Sequence, residues 1–396
     1  MQGGVDTIKP YVDEFIAFAK EHKEYPFMKR IILGTIVILV SGIVLTGFLL
    51  LNKDAESMPI QLSAHSVLLT IDEVSTGIEP MYQATIVSND TQLVSPPLIN
   101  SSDLNRLLAR EGKIYINTYI GAHKQLFQTL RAFIESNIEP HDTIYTLLNG
   151  LSWNLAIEAI PLDSDDVYLC DKYYFERISS VKQINNHPFP KNNYKSILFG
   201  DIKYNSPKIK NLPGSKHAIA YLRELYSANG LSAEIYAQEA ATAEAFMAVS
   251  GRCLDNILVS THGEMNTQTD GSKVYEILFD NAVGVPTYKI AKMDLSHIQT
   301  IFFTACHSAC FSPYPDECLR SALKEAGANT LIMHIWRTSD NAAEVFMKSY
   351  YSAWLSGLTP REAFLQAQHT LRTYRDDKGI LQFEEPAYWA GFIMLD

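Results

Sequence analysis

Two short runs limit what this chain can fold into. Asn256-Ile257-Leu258-Val259-Ser260-Thr261 and Ile301-Phe302-Phe303-Thr304-Ala305 are mostly apolar and rich in β-branched and aromatic residues. That is the pattern of strands buried on both faces, which belong to parallel sheets. From Tyr194 onward strands and helices alternate around them, so the sheet is expected to be mostly parallel and covered on both faces. Each run stops at a residue able to do chemistry: the first at His262-Gly263, the second at Cys306. In an open parallel sheet the ligand crevice lies at the carboxyl ends of the strands, and neighbouring strands are about 4.8 Å apart. If the two strands are adjacent, an imidazole and a thiol project from one edge within reach of each other. A thiol nucleophile with a histidine base needs that arrangement.

The other strands expected in this half are Ile197 to Phe199, Ala233 to Ala237, Thr330 to Trp336 and Ala390 to Leu395. Helices are expected over Ser215 to Ala228, from a Thr242 cap to Val249, over Pro315 to Ala326, and twice after Trp336. The last of these opens on a capping box, Thr359-Pro360-Arg361-Glu362, with proline at the first helical position. Val274 to Phe279 and Thr287 to Ile290 read as a hairpin. Before Tyr194, Ser66 to Ile71 and Met81 to Val87 alternate as antiparallel strands. Ser101 or Ser102 is placed to cap a helix over Leu104 to Arg110. His123 to Ser136 reads as a longer helix, with strands near Thr143 to Leu147 and Asp166 to Leu169.

Ile31 to Leu51 runs for 21 residues without a charge, long enough to cross about 30 Å of hydrocarbon. A signal peptide fits less well: the run starts late, is too long, and lacks a small-x-small cleavage site. The segments expected are therefore a tail over 1–30, a transmembrane helix over 31–51, a linker over 52–63, and a globular body beyond. Lys20, Lys23, Lys29 and Arg30 precede the span and only Lys53 follows closely, which places the body outside the cytoplasm. The five cysteines, an odd number, point the other way, towards a reducing compartment. The side of the membrane stays open.

A net charge of −11 argues against nucleic acid as the main partner, since phosphate binding needs a basic face. Charged residues are 19% of the chain beside 21 Tyr and 18 Phe, so a packed body is expected rather than disorder. No G-x-G-x-x-G, G-x4-G-K-[ST] or G-x-S-x-G occurs, which leaves no dinucleotide, P-loop or serine-hydrolase signature. Cys306, Cys310 and Cys318, with His307 inserted, do not have the spacing of a zinc knuckle. No cofactor and no metal are expected. His262 is read as the base that takes the thiol proton and returns it to the leaving amine. Gly263 lets the backbone approach a ligand, and its amide with that of Cys306 is the candidate oxyanion hole. Asp340, just past the next strand, reads either as a pocket-lining acid or as a first-turn acid favouring its helix dipole.

Taken together, Thr261-His262-Gly263, Thr304-Ala305-Cys306, Gly327 to Thr330 leading to Ile335-Trp336, Phe346, Tyr350-Tyr351, Gly357 to Ala367 and Pro386 to Phe392 resemble the CHAT domain, the caspase-like cysteine peptidase domain related to separase. Asp142 to Ile160, Val167 to Val181, Asn211-Leu212-Pro213-Gly214 and Ala240-Ala241-Thr242 resemble its earlier segments, so the likeness covers roughly residues 64–396. It implies a caspase-like three-layer α/β/α fold with a mostly parallel sheet. Residues 64–193 would be a degenerate protease-like lobe and 194–396 the catalytic half. It also implies a Cys306–His262 dyad and a specific protein or peptide substrate. Asp340 becomes the acid that meets a basic P1 residue. CHAT proteins are often effectors in bacterial defence or signalling, activated by a partner or by assembly. Two features depart from the family pattern: a membrane span replaces the usual helical-repeat or sensor fusion, and His307-Ser308-Ala309-Cys310 replaces an acidic-Thr-Gly continuation.

The expectation is a single-pass, inner-membrane-anchored cysteine endopeptidase that acts as a triggered effector, with the lipid bilayer and an activating partner or second copy as its associates. The rival is a non-catalytic membrane effector, in which the CHAT body binds a partner or multimerises and the spans disrupt the bilayer. A third reading is a thiol or metal sensor built on Cys306, Cys310 and Cys318.

Overall fold

This computed structural model describes residues 62–75, 79–109, 124–162, 167–184, 193–309, 311–312 and 315–395. The expected span over Ile31 to Leu51 and its flanks lie outside those residues, as does Cys310. Among the described residues, no helix is long and apolar enough to cross a membrane.

The first half opens with the strands β1 (Ser66–Val74), β2 (Met81–Val87), β3 (Gln92–Val94) and β4 (Ile99–Asn100) and the helix α1 (Ser101–Ala109). Helix α2 (Lys124–Asn137) and strands β5 (Thr143–Leu148) and β6 (Tyr174–Arg177) complete it. The second half alternates: β7 (Ser196–Ile202), α3 (Pro213–Ala228), β8 (Ala233–Gln238), α4 (Ala243–Met247) and β9 (Leu254–Val259). A small meander follows, β10 (Gly263–Thr267), β11 (Lys273–Phe279) and β12 (Val283–Pro286). Next come β13 (Ile298–Phe303), α5 (Leu319–Glu325), β14 (Thr330–His334), α6 (Asp340–Leu355), α7 (Pro360–Arg372) and β15 (Phe392–Leu395).

Twelve of these strands form one sheet, in the order β3-β2-β1-β5-β6-β15-β14-β13-β9-β7-β8 with β4 also on β2. Its centre is parallel from β14 through β13, β9 and β7 to β8. The two halves of the chain meet where β6 lies beside β15, at the single pair Arg177↔Leu395. Neighbouring residues on a strand point to opposite faces, and β13 shows both faces covered. Phe302 packs edge-on against Phe346 of α6 at 5.8 Å, while Phe303 meets Phe246 of α4 at 6.3 Å. The buried, β-branched and aromatic composition of β9 and β13 therefore reflects a sheet with apolar layers above and below.

Three local expectations are corrected. Val274 to Phe279 does form a hairpin arm, but its partner is β12, paired from Phe279↔Val283 to Glu276↔Pro286. Thr287–Ile290 is instead one helical turn, started by Pro286, whose ring cannot donate to a further ladder. Leu169–Lys172 is also a helical turn rather than the end of a strand, because the Asp171 carboxylate accepts from the Tyr168 amide at 2.8 Å and closes the chain on itself. The cap of α1 is Asn100, whose Oδ1 accepts from the Asp103 amide at 2.6 Å. Asparagine is as good a cap as serine.

Candidate active site

The register settles the geometry on which the candidate site depends. β9 and β13 are adjacent and parallel, paired Val259↔Phe303 at their carboxyl ends. His262 stands three residues beyond Val259 and Cys306 three beyond Phe303, so both emerge from one edge of neighbouring strands. β7 lies on the other side of β9 and leads to β8 at the sheet edge, whereas β9 leads back towards β13. Connections thus leave in opposite directions between β7 and β9, and a ligand crevice belongs at such a switch point.

Beyond the ladder the strand ends stay tied. The Thr304 amide donates to the Val259 carbonyl at 3.1 Å, and the Thr304 hydroxyl to Ser260 Oγ at 3.0 Å. Thr261 Oγ1 donates to the Leu278 carbonyl. Its proton is thereby used, so Tyr204 donates to Thr261 Oγ1, at 3.0 Å. Burial pushes the Tyr204 hydroxyl up to about 12, which keeps it a donor at any ordinary pH. The Tyr204 ring then packs against His262, with centroids 5.0 Å apart.

His262 Nε2 lies 2.7 Å from the main-chain carbonyl of Lys210. A carbonyl only accepts, so Nε2 carries a proton, and in the neutral imidazole the lone pair is then on Nδ1. That is the tautomer of a base, oriented by a backbone group in the loop between β7 and α3. Sequence reasoning named the nearby Asn211-Leu212-Pro213-Gly214 but not Lys210. A main-chain acceptor leaves no mark in residue identity.

Cys306 is half-buried and its thiol is free. Its own carbonyl accepts a hydrogen bond from Tyr275 Oη of β11 at 2.6 Å. Gly263 makes that contact sterically possible. A Cβ at this position would lie 1.7 Å from Tyr275 Oη and 3.1 Å from the Cys306 carbonyl oxygen. Gly263→Ala should therefore expel the tyrosine hydroxyl and lower stability by about 1–3 kcal/mol. A urea titration checks it, and a midpoint equal to wild type would contradict the packing described.

The loop after Cys306 is held on both sides. His307 adopts φ 54, a left-handed conformation that non-glycine residues reach only when neighbours enforce it. Its amide donates to the Trp336 carbonyl at 2.8 Å, and the Ala309 amide to the His334 carbonyl at 3.0 Å. Buried Ser308 accepts from the His334 amide at 3.0 Å. From the first half of the chain, Trp153 Nε1 donates to the Ala309 carbonyl at 2.7 Å, and Asn154 Oδ1 accepts from the Phe311 amide at 2.9 Å. These two residues also escaped sequence reasoning.

Burial pushes the His334 imidazole down to about 3, with the nearby His307 adding to the shift and a bond to the Trp336 carbonyl opposing it. His307 is lowered as well, by burial first and then by the Arg337 charge. The His334 ring also fills the space where Gly391 has no side chain, since a Cβ there would meet Cε1 at 2.2 Å. An unfolded chain protonates His334 near 6.5 and the folded chain only near 3. Between those values the unfolded state binds more protons, so stability falls as pH is lowered. The slope of unfolding free energy against pH from 6.5 to 4 should be shallower in His334→Gln than in wild type. Equal slopes would refute a buried neutral imidazole.

Asp340 stands in the first turn of α6, where one of its two readings puts it. Its carboxylate also reaches a second helix: Oδ2 accepts from the Gly214 amide at 2.6 Å and Oδ1 from the Ser215 amide at 3.1 Å. The carboxylate thus caps α3, at the positive end of that helix's dipole. Among the described residues no three His, Cys, Asp or Glu side chains gather as a metal site.

The family model of the CHAT domain matches residues 122–396, and the chain belongs to that family. Among solved structures it is similar to separase of Saccharomyces cerevisiae in complex with securin, with a TM-score of 0.53 at 9% identity over 87% of this chain and 30% of separase. It is also similar to the Arg-specific cysteine proteinase gingipain R, with a TM-score of 0.44 at 10% identity, covering 69% of this chain and 66% of the gingipain. The RgpB of Porphyromonas gingivalis gives 0.44 at 11%, over 69% and 68%. The chain thus spans about two-thirds of the gingipain and under a third of separase. No curated protein sequence matches it. The fold is mixed α/β with a mostly parallel central sheet, similar to that of separase.

Proposed function

We propose that this chain is a membrane-anchored cysteine endopeptidase of the CHAT family, with Cys306 as nucleophile and His262 as base and then acid. The observation that carries this reading is the placement of both residues at the ends of adjacent parallel strands, with His262 Nε2 bonded to the Lys210 carbonyl. Nδ1 takes the thiol proton, the thiolate attacks the scissile carbonyl, and the imidazolium returns the proton to the leaving amine. The amides of Gly263 and Cys306 hold the oxyanion, which needs donors fixed before the reaction begins. The Tyr275 bond to the Cys306 carbonyl and the clamp on residues 307–311 supply that fixity.

Residues 64–193 act in this reading as a non-catalytic lobe that braces the nucleophile loop through Trp153 and Asn154. The charge-free run over Ile31 to Leu51 anchors the protease in a bacterial inner membrane, near its substrate or near further copies. Separase was solved with a protein partner, and a partner or self-assembly is the proposed trigger of a defence or signalling effector. Asp340 meets a basic P1 residue through the lone pairs that its two amide bonds leave free.

The test uses the purified full-length chain and acyloxymethyl-ketone peptides carrying Arg, Lys, Leu or Asp at P1. Covalent label mapped to Cys306 and lost in Cys306→Ala is the result expected, with the Arg and Lys probes fastest. In Asp340→Asn the Arg probe should slow more than tenfold relative to the Leu probe, roughly the worth of a charge-assisted hydrogen bond. Equal slowing of both would reduce Asp340 to a helix cap. Label on exposed Cys253 instead, or no label both on the purified chain and in cells carrying its native neighbouring genes, would remove the protease reading.

A further inference from the structure

β10 begins at Gly263, directly after the histidine, and among the described residues pairs only with β11. Its other edge has no strand partner among them. Which groups point to that edge follows from one bond: the Leu278 amide donates to the His262 carbonyl at 3.0 Å. In an antiparallel pair, residues alternate between those that exchange hydrogen bonds and those that do not. His262↔Leu278 is a bonded pair, so Glu264↔Glu276 and Asn266↔Val274 are bonded too. The amides and carbonyls of Gly263, Met265 and Thr267 therefore face outward. The candidate oxyanion amide is thus the first group of an open strand edge.

The direction of a bound chain follows from the chemistry. After attack the acyl half stays on Cys306, and His262 gives its proton to the leaving amine. The leaving half must therefore lie on the His262 side, where β10 departs. From these two observations we infer that β10 is the docking strand for the primed half of the substrate, which adds to it as a parallel strand. The inference rests on the protease reading above and extends the same site.

A parallel ladder fixes the partners, because each residue bonds to those just before and just after its opposite number. With the P1 carbonyl on the Gly263 amide, P1′ lies opposite Gly263. The P2′ amide then donates to the Gly263 carbonyl and the P2′ carbonyl accepts from the Met265 amide. The P4′ amide donates to the Met265 carbonyl. P1′ and P3′ turn their own amides away. The alternation that presents Gly263 for the oxyanion thus presents Met265 for P2′, with no adjustment of register. Strand addition of this kind takes its affinity from main-chain bonds and its selectivity from alternate side chains. Met265 is opposite Tyr275, on the face from which Tyr275 reaches the Cys306 carbonyl, and it is 43% exposed. It therefore offers an apolar surface beside P3′. The other face carries Glu264 opposite Glu276, with Asn266 bonded to Glu276 at 2.8 Å.

The experiment compares internally quenched peptides built on the P1 residue that labels fastest and extended through P4′. N-methylation at P2′ should lower kcat/KM about three- to tenfold on the wild-type protein, the worth of one hydrogen bond. N-methylation at P3′ should have no effect. Met265→Pro removes the donor to P2′ at a position where an edge strand tolerates proline. It should lower the ratio of kcat/KM for the extended peptide to that for a coumarylamide ending at P1 by a similar factor. Equal rates for the two N-methyl peptides, or an unchanged ratio, would overturn the docking strand while leaving the protease intact. A wild-type protein that no probe labels, either purified or in cells carrying its native neighbouring genes, would remove the protease reading, and this inference with it.

Discussion

Replacing His262 by alanine is expected to slow covalent labelling of Cys306 by about 10²- to 10⁴-fold, the range over which a positioned acid–base group acts. A cysteine thiol has a free pKa of about 8.5, so at neutral pH most of it is protonated and inert. The base must therefore be close, in the right tautomer and held still. The strand register sets the two strand ends side by side, and the Lys210 carbonyl fixes the imidazole through Nε2. Since that carbonyl belongs to the main chain, Lys210→Ala should label like wild type. The half-exposed His262 side chain carries little of the core, so His262→Ala should unfold at the same urea concentration as the parent. Added imidazole should restore part of the lost rate by occupying the vacated volume. A variant that labels as fast as wild type would show that another group activates the thiol, with His262 only packing on Tyr204.

The parts of this site legible in the sequence were those written in side chains along short stretches. β9 is fully buried and β13 is buried save for Gln299, and a run of that composition ending in His-Gly or in cysteine stands out without any structure. The capping box of α7 is equally local, and the Thr359 hydroxyl accepts from the Glu362 amide at 3.2 Å, as its spacing requires. What could not be read is carried by main-chain atoms or by long separations. The Lys210 carbonyl is invisible because any residue would provide it. Asp340 was weighed as a pocket acid or as an acid of its own helix, but its amide partners lie 125 and 126 residues earlier in the chain. Trp153 reaches a carbonyl 156 residues away. The turn at Thr287–Ile290 failed for another reason. An apolar alternation of four residues fits a strand or a single helical turn equally well, and only the prior claim of β12 on β11 decides between them.

Arg177→Ala should lower the unfolding free energy by about 3–5 kcal/mol, because it removes one partner of a buried ion pair and strands the other. Arg177 ends β6, the strand that joins the two halves of the sheet at β15. Its guanidinium is almost wholly enclosed and donates to three places at once: the Trp153 carbonyl at 2.8 Å, the Leu155 carbonyl, and the Glu158 carboxylate at 3.2 Å. Planar, always charged and forked, arginine suits such a junction in a way lysine does not. Alanine would leave the Glu158 carboxylate buried without a counter-charge, together with two unsatisfied carbonyls. Replacing both ions by apolar residues of similar size, Arg177→Met with Glu158→Leu, should recover much of the loss, since a buried pair contributes less than the penalty of halving it. Urea titrations of the three proteins test this. A cost under about 1 kcal/mol for Arg177→Ala, or a double variant no better than the single one, would mean that water reaches the pair. The same substitution should also be felt at Cys306. Arg177 fixes the carbonyls of the segment from which Trp153 and Asn154 grip Ala309 and Phe311, the loop that holds the nucleophile against β14. In the double variant stability returns without those carbonyl bonds. Labelling of Cys306 should then remain slower than in wild type even under conditions where both proteins are fully folded. That separation of stability from reactivity is what a bracing role for the first half of the chain requires, and a double variant restored in both would assign residues 64–193 to folding alone.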